Sequence, residues 1–176
     1  MEQSIKPNAV NYGLYLGGAM VLFTIIAYAV QIELLANLWY GLSILLVVVV
    51  FGVISAAKSK QILGGFISFK NSFTSYFITV LIGLLISLVV SYLLFNFIDP
   101  EAAETLKNVT IENQVKMMKG FNTPNDIIAE TVEVMEQQDN YSFINILKGL
   151  AGYIVMYSII GLIVAAVMKK NTPDAQ

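Results

Sequence analysis

The chain has 176 residues, of which 57% are hydrophobic and 12% charged, with a mean hydropathy of +0.72; soluble domains carry charge on about a quarter of their residues, so an ordinary soluble domain is excluded. Its net charge is −2 and all ten cations are lysines, which leaves no basic footprint for nucleic acid. There is no cysteine and no histidine: disulfides, thiolate chemistry, the usual zinc, copper and haem ligands and the Ser-His or Cys-His nucleophile pairs go with them, and no catalytic, cofactor-binding or metal residue is assigned.

The head carries Glu2 and Lys6 and leads into a first apolar run, Tyr12–Ile32. Ala27-Tyr28-Ala29 resembles a signal-peptidase site, but the run continues through Val30 to Ile32, so an uncleaved anchor is expected. A lysine-free connector, Glu33–Asn37, precedes a second run, Leu38–Ala57. The next connector holds Lys58, Lys60 and Lys70. Gly64-Gly65 permits a turn there, and Ser68 is placed to cap the following helix through its hydroxyl.

The third run, Phe73–Ile98, contains Ser75, Thr79, Gly83, Ser87 and Ser91 at four-residue spacing, one ridge about 24 Å long on a helix. Small residues at that spacing let a neighbouring backbone approach, and the row reads as a helix-packing seam. Gly13 and Gly17 form the matching pair in the first run, Gly52/Ala56 and Gly161/Ala165 in the second and fourth. The other reading of the row is a hydroxyl-lined path for a small polar solute.

Residues 99–148 form a long loop with four lysines against nine acids. Asp99-Pro100 is a cap followed by a helix-starting proline, and this helix is expected to run to Lys119 with Gly120 as its left-handed stop. Thr123-Pro124 repeats the start signal. The second loop helix is amphipathic, with Ile128, Val132 and Met135 on its apolar face; the two loop helices are expected to fold back as a cap over the outer face of the bundle, and the alternative is that this face is a docking face for a partner or ligand. Calcium-loop spacing is missing among the acids, which read as a solvated face. The last run, Gly149–Met168, is followed by Lys169 and Lys170.

Each run is near or above the ~20 residues that cross ~30 Å of hydrocarbon. Lysines flank the head, the second connector and the tail, so these are expected in the cytoplasm and the acidic loop outside. The expectation is one all-α integral membrane domain over 1–176: a four-helix bundle with two short amphipathic helices in the extracytoplasmic loop between spans three and four. No carboxylate or histidine lies mid-membrane, which weighs against proton-coupled transport. Asp99, Lys148 and Glu33 share the outer boundary, and an ion pair of Lys148 with either acid is expected there.

Three stretches, Gly64–Phe73 (GGFISFKNSF), Phe95–Glu101 (FNFIDPE) and Gly161–Lys170 (GLIVAAVMKK), resemble a bacterial membrane family catalogued as domain of unknown function 4199. The likeness covers nearly the whole chain, including the order of spans and the position of the long loop. Family members often place an acid after S-F-K, where this chain has Asn71 and so lacks the acid of the fuller capping box. The resemblance implies an integral protein of the bacterial inner membrane and carries no catalytic residues. A non-enzymatic accessory or interaction subunit is therefore expected, with the lipid bilayer and another membrane protein or a second copy as partners; the alternative is a small oligomeric channel or carrier.

Overall fold

The computed structural model describes residues 4–170; Glu2 lies outside them. The chain is an all-α four-helix membrane bundle with two further helices in the long loop. We number them α1 (Lys6–Val30), α2 (Leu38–Ile62), α3 (Phe69–Leu93), α4 (Pro100–Gly120), α5 (Asn125–Gln137) and α6 (Phe143–Met168). Helices α1, α2, α6 and α3 with its terminal π turn (Leu94–Ile98) are each long and apolar enough to cross a membrane. Two start well before their apolar runs, α1 at Lys6 and α6 at Phe143. Continuing the helix keeps each backbone N–H and C=O paired as the chain nears hydrocarbon.

α3 is the centre, packed against α1, α2 and α6, while α1 and α6 are not neighbours. Lipid is as apolar as leucine, so close approach rather than apolar burial holds such helices together. Glycines set that approach. A Cβ at Gly13 or Gly17 of α1 would lie 2.7 Å from Ile82 or 2.6 Å from Ile86 of α3. In return Leu16, fully buried, sits in the notch at Gly83, where a Cβ would come within 2.5 Å.

The lysine-rich connector between α2 and α3 turns on Gly64 and Gly65 at φ +73° and +90°, conformations that favour glycine. Ser68 then caps α3 by accepting from Asn71 N–H at 3.2 Å. Ile67, 2% exposed, exchanges two backbone hydrogen bonds of 3.0 Å with Lys170. Lys170 also stands over the Phe66 ring, and Lys60 donates to the Met168 carbonyl at 2.9 Å at the end of α6. The first and last of the three family-like stretches are thereby tied together.

At the opposite end, the Asp99 carboxylate accepts from Ala102 N–H (3.0 Å) and Tyr28 O–H (2.6 Å). Ala102 and Leu106 of α4 bury against Leu94 and Phe95, and Asn113 donates to the Ala36 carbonyl. α4 therefore covers the 3-10 turn Ile32–Ala36 and the π turn. The stop of α4 differs from expectation. Gly120 is still helical, and the left-handed residue is Asn122 at φ 54°. Asn122 N–H bonds the Lys119 carbonyl and Thr123 N–H the Met118 carbonyl, the paired bonds of a Schellman stop. Because Thr123 completes that stop, the α5 cap falls one residue later, on Pro124, without a side-chain bond. Asp139 lies beyond α5 and organises the next turn, accepting from Tyr141 N–H, Ser142 Oγ and Asn145 Nδ2.

Candidate functional site

The polar side chains inside the bundle fall into two groups, one in each half. In the half nearer the lysine-bearing connector, Ser75 and Thr79 of α3 meet Ser55 and Ser59 of α2, all four fully buried. Asn8 Nδ2 of α1 donates to Ser59 Oγ (2.9 Å), Ser59 and Ser75 hydroxyls are 2.7 Å apart, and Ser75 and Ser55 hydroxyls 3.0 Å. Thr79 Oγ1 stands 2.7 Å from Ser55 Oγ and 2.9 Å from the Ala9 carbonyl. A hydroxyl carries one proton and a carbonyl can only accept, so Thr79 donates to Ala9 and receives from Ser55. One consistent direction results: Asn8 to Ser59 to Ser75 to Ser55 to Thr79 to the Ala9 carbonyl. Each hydroxyl donates once and accepts once, which leaves none of the four unpaired.

The same half is wedged by Tyr76, whose ring is fully buried. A Cβ at Gly52 of α2 would lie 2.4 Å from one ring edge, and one at Gly161 of α6 would lie 2.6 Å from the other. α2 and α6 are thus joined through a tyrosine of α3. Towards the loop end they part. A Cβ at Gly41 of α2 or Gly149 of α6 would meet nothing within 4 Å, and between them lies a half-open cleft of about 920 Å³. Its floor is Met20, Leu84 and Tyr157; Ser87 and Ser91 of α3, Thr24 of α1 and Tyr40 of α2 give it hydroxyls; Lys148, Gln138, Asn140 and Asn145 stand at its mouth. Thr24 Oγ1 donates to the Met20 carbonyl at 3.0 Å and stands 3.3 Å from Tyr40 Oη. A smaller recess of about 310 Å³ continues under α4 beside Leu106, Thr110 and Tyr141. Burial pushes the Tyr141 phenol up to about 12, so it remains a neutral donor at physiological pH.

The five-residue row expected on span three is therefore divided. Ser75 and Thr79 belong to the buried hydroxyl group, Gly83 is filled by Leu16, and Ser87 and Ser91 line the cleft. The expected ion pair is not formed. Asp99 is occupied by Tyr28 and Ala102, and those donors hold its carboxyl below the usual carboxylate range. Lys148 reaches only Asn145 Oδ1, at 3.4 Å. Among the described residues the single ion pair is Lys116–Glu112, on the exposed surface of α4. The expected placement of α5 is also corrected. α5 neighbours only α4, and the side it turns inward carries Ile128, 7% exposed, with Val132 and Met135 half-buried. α5 thus packs on α4 within the loop rather than on the bundle, which buries Ile128 and leaves Ile127 and Val134 exposed.

Asn8, Ser55, Ser59 and Tyr76 were not singled out by sequence, although Gly52, Ser55, Ala56 and Ser59 repeat on one helix face as the α3 row does. No group of three or more Asp, Glu, His or Cys side chains is arranged to hold a metal ion among the described residues. The polar groups of the cleft are hydroxyls, amides and one ammonium, suited to hydrogen bonding and to anion contact. A family model described as "Protein of unknown function (DUF4199)" matches residues 11–170. No curated protein and no solved structure matches the chain.

Proposed function

The chain belongs to the DUF4199 family of proteins of unknown function, and from that premise we propose that it is a non-enzymatic accessory or interaction subunit of the bacterial inner membrane. Both termini lie in the cytoplasm and the acidic loop outside, as the lysines beside the span ends favour. The observation that carries the reading is the α2–α6 cleft: the bundle is wedged shut at Tyr76 and open from Gly41 and Gly149 outward. A concave, mostly apolar wall with a few placed polar groups is the usual form of a binding surface. The bilayer is its first partner, and another membrane protein the next. Co-purification in mild detergent with mass spectrometry tests the reading. A specific membrane partner is expected; recovery of the chain alone, with native-membrane crosslinking returning only itself, sinks it.

A small oligomeric channel or carrier is the second reading, favoured by Ser87 and Ser91 on the cleft wall. Leu16 in the Gly83 notch separates these from Thr79 and stands against a continuous hydroxyl path. Solute flux in liposomes that falls on Ser87→Ala and Thr79→Ala substitution would support it, and unchanged flux would remove it.

A further inference from the structure

We propose that the α2–α6 cleft holds one acyl chain of an anionic phospholipid of the outer leaflet, with the headgroup phosphate beside Lys148. The inference rests on the reading of the cleft as a binding surface and on the orientation proposed above.

Depth is the first support. Along α3 its lining runs from Ser91 to Leu84, 7 residues, and along α6 from Gly149 to Tyr157, 8 residues; at the helical rise these are about 10–12 Å. Half of a ~30 Å hydrocarbon core is about 15 Å, so the cleft reaches most of the way through one leaflet. Its blind end is apolar, formed by Met20, Leu84 and Tyr157.

Charge is the second support. Lys148 sits five residues into α6, about 7.5 Å along the axis from its start at Phe143. It lines the cleft mouth and, among the described residues, makes no ion pair. A cation near hydrocarbon is costly without an anion or water. A phosphate there answers it, and the amides of Asn145, Asn140 and Gln138 add donors to the same cleft. Moving an acyl chain from bulk lipid into the cleft exchanges one apolar surrounding for another, so the chain fits but does not select. Selection lies in the headgroup.

The full chain in mild detergent, titrated by native mass spectrometry with phosphatidylglycerol and with chain-matched phosphatidylcholine, tests this. Phosphatidylglycerol should bind about tenfold tighter, the effect of one ion pair partly shielded from water. Lys148→Gln should abolish the preference, while Lys119→Gln on the exposed part of α4 should retain it. Gly149→Leu and, independently, Gly41→Leu should remove both lipids, since each adds a side chain where the protein leaves open space. Helicity by circular dichroism identifies a variant that fails to fold, and the other glycine then decides. Equal binding of the two lipids, a preference that survives Lys148→Gln, or displacement of the lipid by inorganic phosphate alone overturns the proposal. The chain has no cysteine, so Asn140→Cys at the cleft mouth, labelled with a benzophenone maleimide, reports the occupant in native membranes without filling the cleft. A lipid adduct is expected, and a protein adduct in its place refutes the lipid. A partner that still co-purifies with Lys148→Gln after the lipid preference has failed leaves the accessory reading standing; lipid preference without any partner does the reverse.

Discussion

Gly52→Ala tests the wedge that joins α2, α3 and α6. The new methyl would be centred 2.4 Å from Tyr76 Cε2 and 2.5 Å from Cδ2, where apolar carbons settle at about 3.5–4.0 Å. Roughly 1 Å must be recovered. The ring has little room to yield it, because Gly161 stands at its other edge with Cβ space of only 2.6 Å. α2 must therefore back away from α3, which also stretches the Ser59–Ser75 hydroxyl contact of 2.7 Å beyond hydrogen-bond length. Overpacking costs about 1–3 kcal/mol, and an interhelical hydrogen bond within lipid averages about 0.6 kcal/mol, so destabilisation of about 1.5–3.5 kcal/mol is expected. The control is Gly41→Ala on the same helix, where a methyl meets open space and the expected change is near zero or slightly stabilising. Reversible unfolding in mixed micelles as the fraction of denaturing detergent rises measures both. In the double variant Gly52→Ala/Tyr76→Ala the two losses should be markedly less than additive. Equal stability of Gly52→Ala and wild type, or strict additivity with Tyr76→Ala, would show that the wedge does not hold the helices.

Three further outcomes are expected. Ser75→Ala removes the middle of the hydroxyl chain and should lower stability by about 0.6–1.7 kcal/mol in the same assay, whereas Ser72→Ala, whose hydroxyl is buried without a partner, should leave stability unchanged or raised. Asp99 is lowered in the folded protein by Tyr28 and by Ala102 N–H, so folding favours its ionised form. The stability it adds is whole at neutral pH and is lost as pH falls below the ordinary carboxylate range through the lowered value. Asp99→Asn should flatten that acid limb of a stability–pH curve, and Tyr28→Phe should move it toward the ordinary carboxylate value. Asn122→Ala, which forces alanine into the left-handed position at φ 54°, should destabilise the α4–α5 turn by about 1 kcal/mol, read by faster amide exchange there, while Asn122→Gly should not.

The bundle was legible because lipid makes each crossing a long apolar run, and the caps at Ser68 and Asp99 were legible because they depend only on neighbouring residues. Contacts between helices were not. The row on α3 marks where something comes close, but only Leu16 of α1 decides that Gly83 is filled, and only the divergence of α2 from α6 decides that Ser87 faces a cleft. Asp99 and Lys148 share a depth, yet depth does not fix azimuth, and Tyr28 stands nearer to the carboxylate. The apolar face of Ile128 was legible, but not the surface that covers it, because α4 is less clearly amphipathic in sequence than α5.

The hydroxyl chain has both its ends on α1 and all its inner links between α2 and α3. The arrangement suits one order of assembly. The α2–α3 hairpin can join Ser59, Ser75, Ser55 and Thr79 to one another with only one donor-accepting and one donating valence left open. α1, although made first, is the piece that closes both, with the Asn8 amide at one end and the Ala9 carbonyl at the other. While it waits, Asn8 lies in the first turn of its helix beside Lys6, near the water layer, where an unpaired amide costs little. The N-terminal helix is thus suited to arrive last, and its docking reports that the hairpin has formed in the correct register.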